Sequence, residues 1–253
     1  MGTKVVAKEG AILKKITSSM SAEANRRAGL VAAHEPGDES SADVEDLELR
    51  FSSQAVLPES PPEIFVDSER ADVFLGEKHI GFVEFTVFNL LHAVNNGEFS
   101  VYELADETQD WSDLFDSIYD YDHNCLNKAA SRAAGHHDYE YGCFYPAMLC
   151  SIDVLSIASA FRGKEYGLRV LQGIMVRRSV PFGLFVTKPY PLQFDHADGR
   201  FRNSGDTLGL KNFKASKQNA TRKLRDYYRR AGFVPVRGTP YMLCGSDHVI
   251  GAF

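Results

Sequence analysis

Residues 155–171 combine the end of an apolar strand, a short basic loop and the start of an amphipathic helix. The loop contains Arg162, Gly163 and Lys164, and the helix is predicted to begin at Gly167. Backbone N–H groups at the start of a helix lack partners, and the helix dipole places about half a positive charge there. With two basic side chains beside it, such a turn can hold a pyrophosphate. A purely structural turn is the alternative.

The second chemical feature is a concentration of positive charge at residues 200–237. This stretch holds eleven Lys and Arg against two Asp, a charge of +9 in a chain whose net charge is −6. A basic segment in an acidic protein points to an anionic ligand, such as a nucleotide phosphate, a nucleic acid or an acidic partner. A solvated basic helix face explains the same charges. Nucleic acid is possible but not favoured, because the sequence has no helix-turn-helix or aromatic-interleaved RNA motif.

The elements that must position these residues follow from apolar periodicity and turn signals. We predict strands at residues 47–55, 71–75, 79–91, 150–158, 182–187, 233–236 and 241–244, and helices at 106–132, 167–179 and 216–230. The first two strands after residue 70 form a hairpin, and helices alternate with the later strands. This order predicts an α/β fold with a mixed sheet rather than an all-parallel one.

The domain organisation follows from composition. Residues 1–45 are weakly patterned and predict a flexible segment, and residues 46–253 predict a single domain with a helical insertion at about 103–135. No apolar run approaches the ~20 residues of a membrane span, so no membrane association is expected. The lysine-interrupted N-terminus and four cysteines without a CxxC pair favour a cytoplasmic protein with reduced thiols. The oligomeric state cannot be read from the sequence.

Acidic and metal-like features are open to two interpretations. The stretch from Asp106 to Asp122 is acidic and could form the mouth for a cationic amine, although a solvated helix face is the simpler and favoured interpretation. His136, His137 and Asp138 have no spacing typical of a metal site, so no metal is expected.

The strand-loop-helix segment resembles the acyl-CoA loop of the GNAT superfamily of N-acetyltransferases. In that family a strand reading Leu-x-Val runs into Arg/Gln-x-x-Gly-x-Gly/Ala and then a helix. Here Leu155-Ser-Ile157 matches the strand, and Arg162 and Gly167 match the first and last positions of the motif. Glu165 stands where the middle glycine is usual, and it adds bulk and negative charge beside the proposed phosphate site.

A second block resembles the same family further along the chain. Family members often read Leu-Tyr-x-x-x-Gly-Phe at the end of the next helix, and Tyr228-Arg-Arg-Ala-Gly-Phe233 matches this, with Tyr227 in place of Leu. The resemblance spans about residues 71–244. Two blocks in the right order, with a strand between them, are more specific than either block alone.

The resemblance implies the fold and the co-substrate. The sheet would be mixed and mostly antiparallel, with a splayed parallel strand pair and flanking helices. Acetyl-CoA would bind with its pantetheine arm in the gap between the strands at 152–158 and 182–187. The residues implied to bind it are Leu155, Ser156, Ile157, Arg162, Gly163, Lys164, Gly167 and Leu168.

The resemblance also implies catalytic roles. Asp153 lies two residues before Leu155, where several similar enzymes keep a carboxylate, and burial would raise its pKa into the range of a useful base. Tyr228 matches the tyrosine that protonates the leaving thiolate in similar enzymes, with Tyr227 as a fallback. A partnered structural Asp and a core Tyr are the simpler interpretations of these residues.

The expected function is therefore an N-acetyltransferase that moves an acetyl group from acetyl-CoA to a primary amine. The acceptor, a small molecule or a protein, is not identified by the sequence, and longer acyl donors stay open. The alternatives are a catalytically inactive binding or regulatory protein of the same fold, which Glu165 favours, and a nucleic-acid-associated protein that uses the basic segment.

Overall fold

The computed structural model describes residues 46–53, 64–96, 100–136, 144–194 and 214–246. The chain divides into two compact units, Met1–Val44 and Glu45–Phe253, and every described residue belongs to the second unit. The predicted flexible segment at 1–45 lies outside the described residues, as do residues 200–213 of the basic stretch. No helix in the described part of the chain is long and apolar enough to cross a membrane.

The core of the domain is a seven-stranded sheet. Its neighbours are antiparallel except for one parallel pair, β6 and β7, so the predicted mixed and mostly antiparallel sheet is confirmed. The strands are β1 (Leu47–Ser53), β2 (Val66–Leu75), β3 (Lys78–Phe88), β4 (Tyr119–Asp120), β5 (Cys125–Leu126), β6 (Met148–Ile157), β7 (Gly183–Thr187), β8 (Val234–Pro235) and β9 (Met242–Gly245). The sheet order is β1-β2-β3-β6-β7-β9-β8, and β4 and β5 form a separate two-stranded ribbon.

Helices cover both faces of this sheet, which gives three layers and two apolar cores. The helices are α1 (Leu90–Asn96), α2 (Val101–Asp106), α3 (Gln109–Ile118), α4 (Lys128–Ala133), α5 (Tyr166–Arg177) and α6 (Lys217–Arg230). Side chains of α5 and α6 pack on one face, around Phe85 and Phe185. Side chains of α1 to α4 pack on the other face, around Phe88 and Val186.

The elements near the proposed site begin and end close to their predicted positions. Helix α6 is capped by Ser216, whose hydroxyl accepts from the backbone N–H of Asn219 at 3.4 Å, and it is followed by Gly232 at φ +92°. These are the cap residues expected at the two ends of a helix. Helix α5 begins at Tyr166, one residue before the predicted start.

The predicted helix at 106–132 is wrong as a single element. The stretch contains the end of α2, then α3, the β4–β5 ribbon and α4. Thr108 starts a new helix because its hydroxyl accepts from the N–H of Trp111 at 3.2 Å, and Asn127 caps α4 in the same way. The predicted apolar spacing holds only within α3, where Leu114, Phe115 and Ile118 are buried. Although the polar and apolar pattern is continuous, these side-chain caps start new helices at Thr108 and Asn127, so the stretch does not form one helix.

The predicted strand at 79–91 is too long at its C-terminal end. Strand β3 ends at Phe88, and Leu90 already begins α1. The N–H of Ala93 bonds to the carbonyl of Asn89 at 3.0 Å, which is the first helical hydrogen bond. Apolar residues alone do not distinguish the end of a buried strand from the buried start of a helix.

Candidate functional site

The site lies where the parallel strands β6 and β7 part. Their pairing runs from Met148 with Gly183 to Ile152 with Thr187, and no described residue of the two strands pairs beyond that point. Strand β6 continues to Ile157, still paired with β3 on its other side. A cleft of about 610 Å³ opens along the stretch of β6 that β7 leaves uncovered.

A β-bulge marks the point of separation. Pairing between β3 and β6 passes from Phe85 with Ile152 to Glu84 with Val154, which leaves Asp153 as the extra residue. A bulge bends its strand, increases the local twist and redirects the side chain of the extra residue. Asp153 is consequently placed at the mouth of the gap, and it is one of the residues that line the cleft.

Four segments of the chain form the walls of the cleft. Residues 153–157 of β6 form one wall, and residues 188–193 after β7 form another. The loop before α5 and the first residues of α5 form a third wall, which contains the predicted phosphate-binding turn. A stripe of α6 closes the remaining side. The stripe consists of Ala220, Lys223, Leu224 and Tyr227, at helical spacing.

The loop before α5 presents a run of unpaired backbone donors. The N–H groups of residues 163–167 donate no hydrogen bond within the described part of the chain. Gly163 and Glu165 both have positive φ values, +79° and +63°. Successive amides in such a turn form a concave anion site, and the dipole of α5 adds positive potential. The predicted phosphate-binding turn is therefore open to a ligand.

The side chain of Glu165 bonds to α6 rather than to these amides. It makes no capping hydrogen bond to α5 among the described residues, and its carboxylate instead pairs with the guanidinium of Arg230, at the end of α6. Both residues line the cleft. The positive φ of Glu165 also gives a backbone reason for glycine at this position in similar motifs, because only glycine adopts it without strain.

Arg162 forms a hydrogen bond with the last residue of β6. Its Nε donates to the carbonyl oxygen of Ile157 at 2.7 Å, and burial lowers the pKa of the guanidinium. The Ile157 carbonyl is thus occupied by the side chain of the loop that follows it. This hydrogen bond ties the start of the loop to the end of the strand.

The carboxyl group of Asp153 is held by two hydroxyl groups and is poised to titrate near neutral pH. Thr86 donates to one oxygen at 2.7 Å, and Ser151 donates to the other at 2.6 Å. Loss of hydration at the carboxyl group raises the pKa to about 6, although the residue as a whole stays exposed and the two hydrogen bonds act in the opposite direction. The negative charges of Glu84 and Asp110 contribute to the same rise. A carboxylate of this kind is a stronger base than a free Asp side chain.

Tyr228 faces the same gap from α6. Its side chain is 7 % exposed and lies near Thr187, the last residue of β7, whose hydroxyl donates to the Ile152 carbonyl oxygen at 3.2 Å. Burial raises the pKa of Tyr228 and the charge of Asp153 adds to the rise, whereas the nearby Thr187 hydroxyl acts in the opposite direction. The phenol therefore stays protonated near neutral pH and can donate a proton.

Ser156 is the buried polar group in the cleft wall. It is 3 % exposed, and its hydroxyl has no hydrogen-bond partner among the residues that the structure describes. Leaving a buried hydroxyl unpaired costs about 1–3 kcal/mol. A group of this kind in the wall of a cleft is suited to bond a ligand.

Six of the eight residues predicted to bind the co-substrate line the cleft, and two do not. Leu155, Ser156, Ile157, Arg162, Gly163 and Gly167 line it. Lys164 does not line the cleft. Leu168 is a buried residue in the first turn of α5, and its N–H donates to the Glu165 carbonyl oxygen at 2.9 Å. The two residues predicted to be catalytic, Asp153 and Tyr228, both line the cleft.

The sequence reasoning missed several residues of the cleft. Lys188 and Tyr190 follow β7, and Lys223 and Arg230 come from α6. The α6 residues could have been found from the sequence, since residues 220, 223, 224 and 227 follow the i, i+3, i+4, i+7 pattern on a basic helix. The residues after β7 could not, because their position depends on where the two strands part.

The acidic region near residue 110 lies on the Asp153 side of the gap. Asp110 raises the pKa of Asp153, and Asp110 and Asp113 together raise that of Tyr241. The first turns of α3 are thus close enough to act electrostatically on the proposed base. Among the described residues, no three His, Cys, Asp or Glu side chains form a group that could hold a metal ion.

The sequence matches no protein-family model, and neither the curated proteins nor the solved structures contain a significantly similar chain.

Proposed function

We propose that this protein is an acyl-CoA-dependent N-acyltransferase that transfers an acetyl group from acetyl-CoA to a primary amine. One observation carries the proposal: a cleft opens where β6 and β7 part, beside the consecutive amides of residues 163–167, which donate no hydrogen bond to any residue that the structure describes. A long, apolar-walled cleft with an anion site at one end suits a ligand with a pyrophosphate and an extended arm. The resemblance of residues 155–167 and 228–233 to the GNAT superfamily supports the same function.

The fit to acetyl-CoA can be described residue by residue. The amides of the loop and the start of α5 would hold the pyrophosphate, with Arg162 and Lys223 as nearby positive charges. The exposed edge of β6 and the unpaired Ser156 hydroxyl would hold the pantetheine arm. Acetyl-CoA would supply the acetyl thioester.

The chain itself would move two protons. Asp153 would take the proton that the amine loses as its C–N bond forms, since only a neutral amine attacks a thioester. Tyr228 would donate its proton to the sulfur as the C–S bond breaks. Their different environments suit these roles, because a carboxylate with a pKa of about 6 is mostly ionised at neutral pH and the buried phenol is not.

The acceptor would approach from the α3 side of the gap. Asp110 and Asp113 lie on that side, and their negative charge favours a protonated amine near Asp153. The chemistry does not distinguish a small amine from a protein amino group. We therefore propose an amine-bearing acceptor without naming it.

A catalytically inactive protein of the same fold is the second candidate, and Glu165 favours it. A carboxylate beside the proposed phosphate site opposes anion binding, although its pairing with Arg230 turns it aside. The two candidates differ in one measurement, because an inactive protein leaves candidate amines unmodified even where it binds CoA.

The test begins with calorimetric titration of the full chain with acetyl-CoA. We expect binding with a dissociation constant below about 1 mM, the upper end for enzyme substrates. A panel of amines is then incubated with protein and acetyl-CoA and analysed by mass spectrometry for added acetyl groups. Asp153→Asn should keep acetyl-CoA binding and lose transfer. Absence of binding at millimolar acetyl-CoA would overturn the proposal.

A further inference from the structure

The ion pair between Glu165 and Arg230 links two separate parts of the cleft. Glu165 precedes α5 in the loop with the unpaired amides, and Arg230 is the last residue of α6. The two residues are 65 positions apart in the chain, and both line the cleft. The guanidinium is therefore held beside the anion site by the carboxylate of that site's own loop.

This ion pair is exposed and so can be exchanged at low cost. The side chains of Arg230 and Glu165 are 56 % and 63 % exposed. Ion pairs with this degree of solvation contribute little to stability and open readily. The pair of Arg178 with Glu69 is different, since its side chains are 30 % and 10 % exposed and it joins α5 to the sheet.

Two acceptors would compete for Arg230 once an anion is bound. The N–H groups of residues 163–167 have no partner in the described ranges of the chain, so an anion on them would lie next to the backbone of Glu165. Guanidinium groups bind phosphate with charge-assisted, often bidentate hydrogen bonds. The carboxylate of Glu165 cannot follow the guanidinium toward the anion without bringing two negative charges together.

We propose that Arg230 is a phosphate-binding residue and that it exchanges the carboxylate of Glu165 for the phosphate of the ligand. The inference rests on the proposed function, and it names the side chain that completes the phosphate site. Glu165 acts as a competitor that lowers the affinity of the site. Neither residue acts on the reacting atoms, so both should change KM and leave kcat unaltered.

The exchange differs measurably from simple charge screening. If Arg230 leaves Glu165 to bind the phosphate, the wild type must break the ion pair. The free energy lost with the ion pair then offsets part of the free energy gained from the contact between Arg230 and the phosphate. Arg230→Gln should then weaken binding more in a Glu165→Gln background than in the wild type. If Arg230 only neutralises Glu165, its replacement should have no effect once Glu165 is already neutral.

The experiment is calorimetric titration of the full chain with CoA and, separately, with inorganic pyrophosphate. Glu165→Gln should tighten binding by about threefold or more. In that background, Arg230→Gln should weaken binding by about tenfold or more, the value of a charge-assisted hydrogen bond. The matched controls are Asp226→Asn and Arg229→Gln, an exposed ion pair on the same helix that does not line the cleft. Both should leave the affinity unchanged.

The outcomes separate this inference from the proposed function. If CoA binds and Arg230→Gln has no effect in the Glu165→Gln background, the exchange is wrong and the proposed function stands. If pyrophosphate binds with the predicted pattern and CoA binds no better than pyrophosphate, the exchange stands and the proposed function fails. If neither ligand binds any variant, both are wrong.

Discussion

The hydroxyl oxygen of Tyr227 lies against the backbone of Gly167, so close that a Cβ atom added to the glycine would be 2.2 Å from it. This contact joins the first turn of α5 to the last turns of α6 in the wall of the cleft. Glycine is needed here for close approach rather than for its backbone angles, since Gly167 lies within a helix.

Gly167→Ala should destabilise the protein by about 1–3 kcal/mol, because the added methyl group cannot fit beside the Tyr227 hydroxyl. Tyr227→Phe removes that oxygen, and the next ring atom, Cζ, is 3.4 Å from the added carbon. The double variant should therefore match Tyr227→Phe or exceed it slightly, because alanine favours a helix by up to about 1 kcal/mol over glycine. Urea unfolding of the four proteins measures this. A double variant as unstable as Gly167→Ala alone would contradict the contact.

The stability of the protein should depend on pH through Asp153. Its pKa is about 6 in the folded protein against the ordinary value of 3.8 for an Asp side chain, so the folded state binds the proton more tightly than the unfolded state does. Stability from this group is fully present below pH 3.8 and is lost as the pH rises to about 6. Asp153→Asn should therefore gain stability relative to the wild type as the pH rises across this window.

Thermal unfolding of the wild type and Asp153→Asn at several pH values measures this difference. Thr86→Val is a useful companion variant, because it removes a hydrogen bond that lowers the pKa of Asp153. The pH window of Thr86→Val should extend to higher pH. A difference between wild type and Asp153→Asn that is constant with pH would rule out the raised pKa.

Tyr228→Phe should reduce kcat by about 100-fold or more and leave acetyl-CoA binding nearly unchanged, because it removes only the proposed proton donor. Tyr227→Phe is the matched control on the same helix and should keep kcat. The measurement is steady-state kinetics with an accepted amine, and equal kcat values for the two variants would exclude Tyr228 as the acid.

Ser156→Ala should leave stability unchanged or raise it by about 1 kcal/mol, because it removes a buried hydroxyl that is unpaired among the described residues. The same change should weaken acetyl-CoA binding by about five- to tenfold if the ligand bonds that hydroxyl. Thermal unfolding and calorimetric titration measure the two effects.

Ser246→Ala is the matched control for this change. Ser246 is 1 % exposed, and its hydroxyl donates to the Val180 carbonyl at 2.7 Å. Its removal leaves a buried carbonyl with one partner fewer, so it should destabilise the protein without changing acetyl-CoA affinity. If both serine variants are destabilised equally, Ser156 has a partner in solution.

Most of the elements around the site could be predicted because their signals are local. Strand β6 and helix α6 followed from apolar periodicity and from the caps at Ser216 and Gly232. The helix predicted at 106–132 failed for a local reason as well, since the caps at Thr108 and Asn127 outweighed a continuous helical pattern. Apolar periodicity therefore indicated the type of most elements, whereas the boundaries of the elements depended on single hydrogen bonds.

The candidate residues were selected by their positions in sequence motifs, whereas long-range contacts in the fold bring them together in a site. Asp153 was selected by its position in a motif, but its pKa depends on Thr86, 67 residues away in the chain. The bulge that places Asp153 in the gap is a mismatch between two paired strands, and neither strand shows it alone. Arg230 was predicted only as the last residue of a basic helix with an expected anionic ligand, and not as a partner of Glu165.

The chain's residue pattern alone specified the strands, the basic helix and the turn with Arg162 and Gly167, because these depend on backbone preferences within a few residues. The three-dimensional fold specified the open cleft, the pairing of the Glu165 carboxylate with Arg230 and the contact of Tyr227 with Gly167. The cleft exists because β7 stops pairing at Thr187 while β6 continues. Long-range packing decides where two strands separate, and no local preference encodes it.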